Sequence, residues 1–148
     1  MKPLLYSALL ALCASASSPV SGVETQPPVK LASSSTATPF LTVGNYVGTW
    51  TNGGEGGELR LTLKQDGANW TASASFSFQG EQISTQVRSV TVEGAKIQLT
   101  LDWDMQETPG HSRMTGASTG DTIQGSYESK TPSETSTGTW TVTLDRKQ

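Results

Sequence analysis

Few side chains in this sequence could do chemistry. His111 is the single histidine and Cys13 the single cysteine, so a zinc centre, which wants several nitrogen or sulfur ligands, has no ligand set to draw on. His111 follows Pro109 and Gly110, and that context reads as a surface loop rather than a general base or metal ligand. Asp102 and Asp104 straddle Trp103; on a strand they project from one side, as a hard cation or an acid/base pair would require, although exposed strand carboxylates also simply serve solubility. The Gly53-Gly54-Glu55-Gly56-Gly57 stretch lacks the lysine and the helix that a phosphate loop opens. Asn69-Trp70-Thr71 matches a glycosylation sequon, relevant only in a eukaryotic secretory pathway. Catalysis wants a nucleophile with its base, a carboxylate pair in split environments or a metal cluster. The expectation is therefore no catalytic residue, no metal and no cofactor. What remains is aromatic surface: Trp50, Trp70, Trp103 and Trp140 read either as a ligand box or as core bulk.

The elements that would position these residues are strands. Beyond Asn45 apolar residues recur with period 2 and turn dipeptides punctuate the chain, the signature of half-buried β-strands. Eight can be counted. The first covers about Asn45 to Asn52, and the second alternates Leu59, Leu61 and Leu63 with Arg60, Thr62 and Lys64 before an Asp66-Gly67 hairpin turn. The third puts Trp70, Ala72, Ala74, Phe76 and Phe78 on one face. In the fourth, Ile83 to Val92, the apolar parity changes between Val87 and Val90, which predicts a β-bulge near Arg88-Ser89. The fifth is the clearest, with Ile97, Leu99, Leu101, Trp103 and Met105 facing in. A loop through Pro109, Gly110 and His111 precedes a sixth strand carrying Met114, Gly116 and Ser118. The seventh carries Ile123, Gly125 and Tyr127, and a polar loop from Ser129 to Thr137 leads to the eighth with Trp140, Val142 and Leu144. Short connections favour an up-and-down order, and eight antiparallel strands so ordered close into a barrel without exposed edges. The fold class expected is all-β, an eight-stranded antiparallel up-and-down barrel; an open two-sheet sandwich is the other architecture compatible with the pattern.

Ahead of the strands, Met1-Lys2, an apolar run from Leu4 to Leu12 and Ala14-Ser15-Ala16 form the charged, hydrophobic and small-residue regions of a secretory signal, too short to span a membrane. The expected division is a signal peptide over 1–16, a flexible Ser/Thr/Pro-rich linker over 17–43 and a barrel domain over 44–148, secreted or periplasmic. Leu10-Ala11-Leu12-Cys13 resembles a lipobox, so an alternative is a lipoprotein anchored at Cys13. Cleavage after Ala16 would leave nine Lys and Arg against thirteen Asp and Glu, a net charge of −4, which disfavours nucleic acid and anionic lipid as partners.

Gly48-Thr49-Trp50 together with Arg146 resembles the calycin arrangement of lipocalins and fatty-acid-binding proteins. The resemblance implies that Trp50 closes one end of the barrel with Arg146 packed across it. The span from Gly44 to Arg146, with Met114-Thr115-Gly116 and Asp121-Thr122-Ile123-Gln124-Gly125, is also similar to short lipocalin-like barrels of bacterial exported proteins, and the Gly-x-Trp triplet occurs in avidin-like barrels too.

Three function classes follow: a barrel binding a small apolar ligand, a protein-interaction module (an envelope accessory domain or an exported inhibitor resembling small periplasmic protease-inhibitor barrels), and an enzyme. Ligand binding requires a cavity, and an interaction module requires a filled barrel with an exposed apolar patch or an ordering tether. Small inward residues place the expected cavity between Ala72 and Ala74 on one wall and Gly125 on the other, bordered by Trp70, Phe76, Trp103 and Tyr127.

Overall fold

The computed structural model of the chain describes residues 40–147. The segments read as leader and lipobox, including Cys13, and nearly all of the expected linker lie outside the described residues. Eight strands follow in chain order: β1 (Gly44–Thr51), β2 (Gly56–Asp66), β3 (Asn69–Phe78), β4 (Glu81–Glu93), β5 (Lys96–Met105), β6 (Thr108–Thr119), β7 (Thr122–Lys130) and β8 (Thr135–Leu144). Each pairs antiparallel with its sequence neighbour, and β1 pairs with β8 to close the barrel. No described residue lies in a helix long and apolar enough to cross a membrane.

The register follows from the alternation and the turns. Two-residue connections join β2 to β3, β3 to β4, β4 to β5, β5 to β6 and β6 to β7, with positive-φ residues at each, such as Gly67, Gly94 and Gly120. That geometry matches the right-handed strand twist. The pairing of β4 with β5 slips between Val87 and Ser89, which is the bulge the parity change predicts. Two boundaries differ from expectation. The stretch Thr108–His111 is strand rather than loop, because Gln106 and Glu107 alone make the turn with φ of 51° and 66°. Likewise β7 and β8 consume most of the expected polar loop and leave residues 131–134 as the connection.

The packed core fills one half of the barrel. Leu61 and Leu63 of β2, Ile97 and Leu99 of β5, Ile123 of β7 and Trp140 and Val142 of β8 are all buried. The chain before β1 helps seal that end. Leu41 is buried within the same cluster, and the Tyr46 hydroxyl donates to the Thr42 carbonyl at 2.6 Å. The barrel unit thus reaches back at least to Leu41, inside the segment expected to be linker.

Candidate functional site

In an up-and-down barrel the β1–β2, β3–β4, β5–β6 and β7–β8 connections share one end, and at that end the interior is not filled. A cavity of about 170 Å³ opens there, of the size that an eight-stranded barrel leaves for one small ligand. Its walls are aromatic: Trp50, Phe76, Phe78, Trp103 and Tyr127. The rings hold one another. Trp50 meets Phe76 edge-on at 5.9 Å and Tyr127 edge-on at 6.2 Å and stacks on Phe78 at 6.0 Å; Phe76 meets Trp103 edge-on at 5.9 Å. These are preferred quadrupole geometries. Leu59, Ala74, Leu101 and Met114 separate the cavity from the packed half.

Glycines directly opposite the aromatic residues make room for them. Trp50 pairs across strands with Gly57, Trp103 with Gly110 and Tyr127 with Gly138. A methyl group built on Gly110 would run into the Trp103 ring, and one on Gly138 would lie 2.6 Å from the Tyr127 hydroxyl. Each large ring therefore lies over bare backbone, which fixes where it can go.

Several polar atoms in the wall are partnered. Trp103 Nε1 donates to Ser112 Oγ at 2.8 Å, Ser112 and Ser129 share a hydrogen bond of 2.5 Å, Trp50 Nε1 donates to the Ser77 carbonyl at 3.0 Å, and Thr85 donates to the Ala74 carbonyl at 2.7 Å. Among the described residues no buried side-chain nitrogen or oxygen lacks a partner. A ligand in this half therefore meets a largely apolar lining in which the Ser112, Ser129 and Thr85 hydroxyls are already engaged. Burial, and secondarily the Glu55 charge, push the Tyr127 phenol above its ordinary pKa, so it stays protonated through the physiological range.

The mouth is built from two similar loops. In one, Asn52 N–H donates to the Glu55 carbonyl at 3.0 Å and Glu55 N–H donates to Asn52 Oδ1 at 3.1 Å. In the other, Thr131 N–H donates to the Glu134 carbonyl at 2.9 Å and Glu134 N–H donates to Thr131 Oγ1 at 3.2 Å. Both glutamates border the cavity.

Of the residues expected to line a ligand site, the structure brings together Ala74, Phe76, Trp103 and Tyr127 and leaves out Trp70, Ala72 and Gly125. The reason lies with Trp140. Its ring covers Gly116 and pairs with Gly125, and its Nε1 donates to the Ser126 carbonyl at 3.1 Å, so bulk from β8 occupies the gap those glycines open. Ala72 and Trp70 sit toward the other end, opposite buried Leu63 and exposed Gln65 respectively. The expected closure of Trp50 by Arg146 is corrected as well. Trp50 lies at the cavity end, whereas Arg146 follows the end of β8 at the opposite end, is 73% exposed and makes a bidentate pair with Asp121 at 2.7 and 2.8 Å. Alternation governs side-chain direction only within a strand, and β8 stops at Leu144.

The other chemistry-bearing residues stand on the outer wall. Asp102 accepts from Arg88 Nε at 2.6 Å and lies 2.7 Å from His111 Nδ1, a line across β4, β5 and β6. His111 first, then Arg88, hold the Asp102 carboxyl below the ordinary carboxylate range. Asp104 instead accepts from the Glu107 N–H at 3.1 Å, so the two aspartates do not converge, and no cluster fit for a metal occurs among the described residues. Phe78, Met105, Ser112, Ser129 and the two loop glutamates were not singled out from the sequence as site residues. For Phe78 and Met105 the signal existed in their inward parity toward strand ends.

No protein-family model, no curated protein and no solved structure matches the chain. The fold and the cavity therefore stand on the chain's own geometry.

Proposed function

We propose that this chain is an exported, lipocalin-like barrel of the calycin type that binds a small apolar molecule in its open half, and that it acts by binding rather than by catalysis. One observation carries the reading: an aromatic-walled cavity of about 170 Å³ opening at one end of a closed eight-stranded barrel. Sites for small molecules are concave, mostly apolar and few per protein, and an engineered cavity of about 150 Å³ in another protein holds benzene. A single ring with small substituents is thus the fitting size, and a long acyl chain is too large. The same cavity favours this reading over a protein-interaction module, for which a filled barrel is expected. The Asp102–His111 pair lies on the outer wall away from the cavity, which supports binding without catalysis. Export to the periplasm or the medium rests on the leader-like residues 1–16, and acylation at Cys13 is the alternative attachment; mass spectrometry of the mature N-terminus separates them.

Ala74 borders the cavity opposite Leu61, so Ala74→Phe places a ring in the empty volume. Wild-type protein titrated with toluene should show saturable heat and a change in tryptophan emission, and the variant should show neither while keeping its β-sheet circular dichroism. Undiminished toluene binding by the folded variant would overturn the assignment.

A further inference from the structure

The two ends of the barrel differ in charge as well as in packing. At the cavity end every connection carries or adjoins a glutamate: Glu55 in β1–β2, Glu81 after the β3–β4 turn, Glu107 in β5–β6 and Glu134 in β7–β8, with Asp104 beside them. All five are exposed, and among the described residues none of them makes an ion pair. The lysine at that end, Lys130, is held by Glu128 at 2.8 Å. At the opposite end Asp66, Glu93, Asp121 and Asp145 are interspersed with Lys64, Lys96, Arg146 and Lys147. The acidic excess of the barrel is therefore gathered around the one opening that leads to an aromatic chamber.

We infer that the cavity takes a compact organic cation, a quaternary or protonated ammonium borne on a single apolar ring, with the ring seated between Trp50, Phe76 and Trp103 and the charge held at the mouth beside Glu55 and Glu134. This deepens, and rests on, the reading of the cavity as a binding site. Three physical reasons converge on it. A cleft rimmed by charge of one sign and walled by low-dielectric material focuses its field and concentrates counter-ions at the entrance. Indole and phenol faces attract ammonium groups through the ring quadrupole, and Trp50, Trp103 and Tyr127 supply such faces. A charge taken deep among rings without a carboxylate partner would lose its hydration uncompensated, so it belongs at the mouth, where Asn52 and Thr131 fix the backbone that carries both glutamates. An anionic ligand of the same size would meet the rim's field with the wrong sign.

The test compares benzyltrimethylammonium with its neutral isostere neopentylbenzene, each titrated into the intact barrel by calorimetry and tryptophan emission at low and high salt. At low salt the cation should bind about tenfold more tightly, a preference built from one cation–π contact and exposed charge pairs, and added salt should shrink it. The double variant Glu55→Gln with Glu134→Gln, checked for native circular dichroism, should reduce the preference to about twofold or less. Equal binding of the two probes by the wild type, or a preference that survives both the double variant and high salt, would overturn the cation inference while leaving the apolar cavity standing. Failure of both probes to bind would overturn the cavity reading and this inference together.

Discussion

The closed half and the open half of this barrel are made from the same alternating strands, yet one is a core and the other a chamber. In the closed half the inward positions are the aliphatic Leu61, Leu63, Ile97, Leu99, Ile123 and Val142 together with the buried rings of Tyr46 and Trp140, and Leu41 comes in from outside the strands to stop the end. In the open half they are aromatic residues, three of them set against glycines. Aliphatic side chains of similar length interdigitate and leave no void. The rings of Trp50, Phe76, Trp103 and Tyr127 instead pack edge-on against one another as a wall around the chamber. The difference teaches that filling is decided by where each ring turns, since Trp140 covers Gly116 and closes its level while the cavity rings pack on one another, and not by the count of apolar residues along a strand.

The largest effect should come from removing bulk on the filled side. Leu99→Ala, at a fully buried position, should cost about 2–5 kcal/mol, whereas half-buried Phe78→Ala, whose ring already borders empty space, should cost less than half of what Leu99→Ala does. Paired urea unfolding curves measure this, and equal losses would break the contrast. Next in size is Gly110→Ala. Its new methyl would collide with the Trp103 indole, so about 1–3 kcal/mol of strain and a shifted tryptophan emission maximum are expected. Smaller, and of opposite sign, is the rim turn: Gln106 and Glu107 both hold positive φ, which costs L-residues about 1–2 kcal/mol each. Replacing them with Asn-Gly should raise stability by about 1 kcal/mol, since that pair suits such a turn. An unchanged melting midpoint would mean that the turn relaxes in solution.

The smallest effect is acid sensitivity at the closed end. Arg146 holds the Asp121 carboxyl below the ordinary carboxylate range. A carboxylate with a depressed folded-state pKa contributes stability above its unfolded value near 4 and loses that contribution as pH falls through the folded value. Because the pair is exposed the loss is slight. Asp121→Asn should flatten the decline in stability between pH 5 and pH 2, as read by urea midpoints, and an identical decline would show that the pair does not couple to folding.

Much of the fold was legible because period-2 alternation and turn dipeptides are local. The existence of all eight strands and the bulge after Val87 followed from parity and turn residues, while the start of β6 and the short β7–β8 connection did not. The site was legible only in part. Parity put Phe76, Trp103 and Tyr127 inside, but it says nothing about how far each ring reaches along the axis. That reach depends on which way each ring turns: Trp103, over Gly110 opposite it, stays in the cavity wall, while Trp140, also opposite a glycine, folds over Gly116 and fills the level where Gly125 had signalled space. Arg146 was misplaced for a related reason, since its parity was carried past the residue where β8 ends. The mouth glutamates gave no local signal. Only closure of the barrel gathers four separate connections into one rim.

A chamber beside a packed core would be read at once by the indole N–H resonances. Trp50 and Trp103 border the cavity, whereas Trp70 lies toward the closed end. In a two-dimensional nitrogen–proton spectrum titrated with toluene, the Trp50 and Trp103 indole signals should shift along saturating curves with a common dissociation constant while the Trp70 signal stays in place. Indole signals that remain fixed throughout, or that all drift linearly together without saturating, would contradict the account.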